Sequence, residues 1–190
     1  GKQSVTTSFP STGIGKQLKM AARMIKVSLA EGTERSAFMT ASYGYDTHSA
    51  AEDANGPILA RLMGEVDGAL GAFVAEMKLL GIWDKVVIMS ISDFGRALKG
   101  NSGAGTDHAW GGNNMLLGGG LNGSKIFGEY PPTLVLGEGQ DIGHGRLVPT
   151  MGWEGIWSPV FQWFGVDQAS MDEVLPNKKN FPSSAIIPAH

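Results

Sequence analysis

Asp46-Thr47-His48, Asp93, Arg96 and Asp107-His108 are the residues of this chain whose types and spacing could do chemistry. Imidazole and carboxylate together suit zinc, manganese or iron, whereas calcium or magnesium prefers oxygen ligands alone. A divalent ion so held activates water and polarises a phosphoryl or sulfuryl oxygen; two ions clamp both the attacking and the leaving oxygen. The planar fork of Arg96, one turn past Asp93, suits a bound tetrahedral anion. The competing reading is a polar surface loop, because Asp and His are common there and an isolated Asp-x-His specifies little.

For these side chains to meet, the backbone must carry three segments to one edge. From Gly15 to Ala30, Leu18, Ala22, Ile25 and Leu29 recur at helical steps, with Lys16, Lys19, Arg23 and Lys26 on a solvated face. "SAFMTASYG" reads as a strand ending at Asp46-Thr47-His48, where residues two apart share a side. Pro57 suits a first helical turn. The long helix after it has Leu59, Leu62, Met63, Val66, Leu70, Phe73, Val74 and Met77 on its apolar side and Gly81 as its stop. "KVVIMSIS" is a nearly continuous apolar strand ending at Asp93, the pattern of a parallel strand covered on both faces. Strand, helix and strand at this spacing predict a βαβ unit with a right-handed crossover.

"NNMLLGG", "KIFGEYP" and "TLVLGE" read as further strands, "WEGIWSPVFQWFGV" as a helix entered or interrupted at Pro159, and "MDEVLPN" as one more turn. The expectation is a single α/β domain over residues 1–190, a layered and mostly parallel sheet with helices on both faces. Residues 1–12 form an extended lead-in and 181–190 a tail. Ligands bind such sheets beyond the carboxyl ends of the strands, where the acids and histidines fall.

Composition narrows the partners. A net charge of −3, with no basic stripe, argues against nucleic acid. There is no cysteine, which removes disulfides, zinc ribbons and thiol catalysis. No apolar run reaches the roughly 20 residues of a membrane helix. "GIGK" lacks the spacing and preceding strand of a phosphate loop. His144 reads as structural or exposed and His190 as a mobile terminal residue. Trp153, Trp157 and Trp163 read as the buried face of the last helix, with a substrate-stacking platform as the minority alternative. The chain opens on Gly1 rather than Met, so its natural N-terminus is expected upstream.

"GYDTHS", "SDFGRALKGNSGAGTDHAWGGNNMLLGG", "GEYP" and "GRLVPTMGW" through "VLPN", in that order, resemble the family called domain of unknown function 1501. The likeness implies the C-terminal part of an alkaline phosphatase-like or sulfatase-like fold, in a longer protein exported by the twin-arginine route to the periplasm or cell exterior. It implies that Asp46, His48 and His108 hold one metal and that Asp93 holds a second. Phe94 stands where alkaline phosphatases place a ligating histidine, which argues against a full two-metal site. Asp107-His108 also fits the pair that Asp93-Phe94 fails to supply, so Asp107 is either a ligand or a residue behind one.

The implied activity is metal-dependent hydrolysis of a small anionic phosphate or sulfate ester. Its serine, threonine or modified cysteine nucleophile is expected upstream, leaving this chain alone inactive. The alternative from another class is a non-catalytic binding or structural module with an incomplete metal site. A truncated sheet would leave an open edge or an apolar face, inviting a homo-oligomer.

Overall fold

A computed structural model describes residues 4–53 and 56–181; His190 lies outside them. Contacts divide the chain into two compact units. One runs up to Trp83 and includes Gly103–Gly105; the other comprises Asp84–Ser102 and the residues from Thr106 onward.

The first unit is built on two helices, α1 (Gly13–Glu31) and α2 (Ile58–Leu79). The Thr12 side chain accepts from Gly15 N–H to cap α1, so "GIGK" is a helix start. Gly81 ends α2 at φ 67°, with its N–H on Lys78 O and Ile82 N–H on Met77 O, the paired bonds of a left-handed cap. Ile14, Leu18, Ala21 and Ala22 of α1 are buried, as are Leu62, Ala69, Ala72, Phe73 and Met77 of α2. Expected apolar positions Leu29, Leu59 and Met63 are exposed, because two helices bury only one narrow stripe each.

One acid shares the buried phase of α2. Glu76 is 1% exposed and accepts Thr6 N–H and Thr7 N–H, the shorter bond 2.7 Å. Lys26 Nζ lies 3.6 Å away and also donates to Ser4 O, so this lysine does not belong to the solvated face expected of it. Burial pushes the Glu76 carboxyl up, but the Thr7 and Thr6 bonds and the Lys26 charge outweigh burial and hold it below the ordinary glutamate value.

The expected strand at residues 36–44 is absent. The Gln17 side chain takes the place of a neighbouring strand there: its Nε2 donates to Ala41 O and its Oε1 accepts Ala41 N–H, both at 2.8 Å. With both backbone groups of Ala41 satisfied by a side chain, no sheet partner is needed at that residue. The βαβ unit and its right-handed crossover are therefore overturned.

Strands in the described residues are short, antiparallel and paired in twos. β1 (Glu52–Asp53) pairs β2 (Gly56–Pro57) in the first unit. In the second unit β3 (Val87–Met89) pairs β6 (Leu116–Gly118), and β4 (Gly95–Gly100) pairs β5 (Thr106–Ala109). The layered, mostly parallel sheet with helices on both faces, and with it the alkaline phosphatase-like architecture, is thus contradicted. "KVVIMSIS" misled because a continuous apolar run does not report strand direction. Only three of its residues are in a strand, extended by Ser90 N–H to Met115 O. The "KIFGEYP" and "TLVLGE" segments form turns and irregular backbone.

α3 (Trp153–Phe164) carries Pro159 inside and ends at Gly165, and α4 (Gln168–Val174) follows. The tryptophans are not a buried face: Trp153 is exposed, Trp157 and Trp163 are half-buried, and α3 buries Gly155, Ser158 and Pro159 instead. No helix among the described residues is long and apolar enough to cross a membrane.

Candidate metal centre

Asp46 and His48 stand on the irregular stretch that leaves the Gln17 clamp. Thr47 N–H turns back to Tyr45 O, the Tyr45 hydroxyl meets Ser42 Oγ at 2.9 Å, and His48 Nε2 lies 3.1 Å from Asp46 Oδ1. Ser49 bridges to Ala104, while Ala50 and Ala51 N–H donate to Gly103 O and Ala104 O at 3.0 Å. Gly105 continues this contact so closely that a Cβ there would sit 2.3 Å from Thr47 O and 2.6 Å from His48 O. Those neighbours are backbone and cannot swing aside, so glycine is what lets the two segments touch.

His108 follows on β5, where adjacent side chains take opposite faces. Its cross-strand partner is Arg96 on β4, and its ring stacks on Phe94 at 4.1 Å between centroids and 10° between planes. Arg96 donates Nε to Thr106 Oγ1 at 2.9 Å and Nη2 to Thr106 O, and its guanidinium lies 5.7 Å from the Phe94 ring centre. These bonds fasten β4 to β5. On the other face of β5, Asp107 accepts from Asn101 Nδ2 at 2.8 Å. It lines a small polar cleft with Lys99 and His144, the latter exposed and at φ 60°.

Asp46 and His48 of the first unit, with His108 of the second, are a possible metal-binding triad, all three exposed. Two ligands on a tetrahedral zinc ion with bonds of about 2.0–2.1 Å sit roughly 3.3 Å apart. The 3.1 Å between His48 and Asp46 is close to that, and equally serves a hydrogen-bonded pair. Two imidazoles and one carboxylate with open positions also suit non-haem iron. The donor set fits a divalent transition metal.

Neither Asp93 nor Asp107 belongs to this set. Asp93 instead lines a cleft with Ile91, Ser92, Trp153 and Trp157. The role of Phe94 escaped sequence reasoning: a ring that cannot bind metal by itself gives no sign that it will stack on one that can. Glu76 escaped too, although an acid in the apolar phase of α2 was a usable signal.

No curated protein and no solved structure matches the chain. A family model does match, over residues 6–136, and the chain belongs to that family, described as protein of unknown function (DUF1501).

Proposed function

We propose that the protein is a metal-dependent hydrolase of small phosphate or sulfate esters, with Asp46, His48 and His108 as the ligands of one ion. The triad carries this reading: three protein ligands leave positions open, as catalytic rather than structural sites do. The ester class rests on the likeness of the Asp46-Thr47-His48 and Asp107-His108 motifs to those of alkaline phosphatases and sulfatases, and with it goes export from the cytoplasm. When bound, the ion would lower the pKa of a water and polarise the ester oxygen.

The chain's own residues supply the positioning. Phe94 fixes the plane of the His108 ring, Arg96 fixes the strand that carries it, and Gly105 lets the backbone close on Thr47 and His48. A second reading, a metal-binding module without catalysis, is favoured by the exposure of all three ligands.

Metal content after dialysis against zinc, manganese or iron tests both readings. One ion per chain is expected, lost in His108→Ala, together with chelator-sensitive hydrolysis of 4-nitrophenyl phosphate or 4-nitrophenyl sulfate when the assayed protein also carries the nucleophile segment expected upstream. Stoichiometric metal without hydrolysis would favour the module; a protein that takes up no metal would sink both readings.

A further inference from the structure

The tryptophans at the start of α3 line a cleft of about 560 Å³ with Ile91, Ser92 and Asp93, within the size range of small-molecule sites. We infer that this cleft binds a small organic cation of the alkylammonium type, held between the Trp153 and Trp157 indoles and the Asp93 carboxylate. It shares no residue with the metal triad, and the inference does not depend on the hydrolase reading.

The lining selects the ligand's charge. Trp153 is 37% exposed and Trp157 stacks on Phe161 at 5.1 Å and 27°, so one indole is available and the other is braced from behind. Trp153, Trp157 and Phe161 lie four residues apart and form one row along the helix. Indole faces attract cations through the negative face of the ring, by about 0.5–2 kcal/mol per contact.

Asp93 is exposed and has no hydrogen-bond or ion-pair partner among the described residues, so its charge is available to a ligand. The Ser92 hydroxyl donates to Phe94 O at 2.9 Å, which removes the one hydroxyl donor that an anion or a sugar would look for. The positive end of α3 is offset by Glu154 in its first turn. Two π faces, a free carboxylate and a committed hydroxyl favour a cation with apolar substituents over an anion or a sugar.

The probe is choline, followed by broadening of its methyl proton resonance as the whole protein is added, with EDTA present so that metal plays no part. Saturable binding is expected, and 3,3-dimethylbutan-1-ol, the same shape without the charge, should bind at least about tenfold more weakly. Asp93→Asn should weaken choline about fivefold, the scale of a half-exposed ion pair. Trp157→Ala should weaken it by about three- to thirtyfold. Because Trp157→Ala removes a packed ring, Asp93→Asn, an exposed change, keeps the test decisive if that variant misfolds. Absence of saturable choline binding, equal binding of the neutral analogue, or an unchanged Asp93→Asn would each overturn the inference.

Discussion

The two units reach order by different means. Of the twelve buried alanine, isoleucine, leucine, methionine and phenylalanine residues among those described, nine belong to the helix pair of the first unit and Ala97, Met171 and Leu175 to the second. In the helix pair, side chains from α1 and α2 meet in a continuous interior where Ala22, Ala69 and Met77 are wholly buried. The second unit closes instead through backbone pairs and turns: β3 with β6, β4 with β5, Leu98 N–H to Gly145 O, Gly111 N–H to Leu147 O. Burial dominates stability at roughly 25 cal/mol per Å², so the helix pair should govern resistance to denaturation. The hairpin of β4 and β5, with its exposed polar side chains, is free to present chemistry.

That division can be broken from either side. The largest effect is expected from His108→Ala, which should weaken metal binding by more than the roughly 10–100-fold typical of groups behind a ligand. As an exposed substitution it should move stability by no more than about 0.5 kcal/mol. Calorimetric metal titration alongside a urea melt reads both numbers, and a large loss of stability would erase the distinction. Glu76→Gln is its mirror image. The amide oxygen can keep the Thr7 bond, but the amide nitrogen would then face Thr6 N–H and the Lys26 ammonium, and about 2–3 kcal/mol of stability should disappear while the folded protein's metal affinity holds.

Phe94→Ala should be milder, weakening metal binding about two- to tenfold, the scale of one aromatic stack. Phe94→Tyr should restore the affinity, whereas a purely bulk-packing role would show as a lost melting temperature.

The smallest effect lies in acid. The Glu76 carboxyl titrates below its unfolded value, so its stabilisation is fully present above about pH 4.3 and fades as pH falls through the lower, folded value. Wild-type stability should therefore decline faster than that of Glu76→Gln as pH falls below 4.3. Parallel decline in both would show that other carboxylates set the acid limit.

Helices were the legible part of this chain, because a 3.6-residue period and a glycine stop are local signals that Leu18, Phe73 and Gly81 carry openly. Sheet architecture was not. Direction of pairing depends on which partner arrives, and Met89 meets Leu116 in antiparallel register for reasons no local pattern states. At the metal site the ligand types were readable from Asp46, His48 and His108. The support was not, since the Phe94 stack and the Gln17 clamp join residues 14 and 24 apart through tertiary geometry. The Trp153 row had the period of a buried stripe, yet a half-open cleft satisfies the same period.

The alternation along β5 has a consequence of its own. Asp107 and His108 are chain neighbours, yet one meets Asn101 and the other stacks on Phe94. The strand therefore counts its own length in parity. One residue inserted between Thr106 and Asp107 would exchange carboxylate and imidazole between the two faces, whereas two would return each to its side. Among natural or engineered variants of this hairpin, even changes in length should be tolerated at this point and odd ones should silence it.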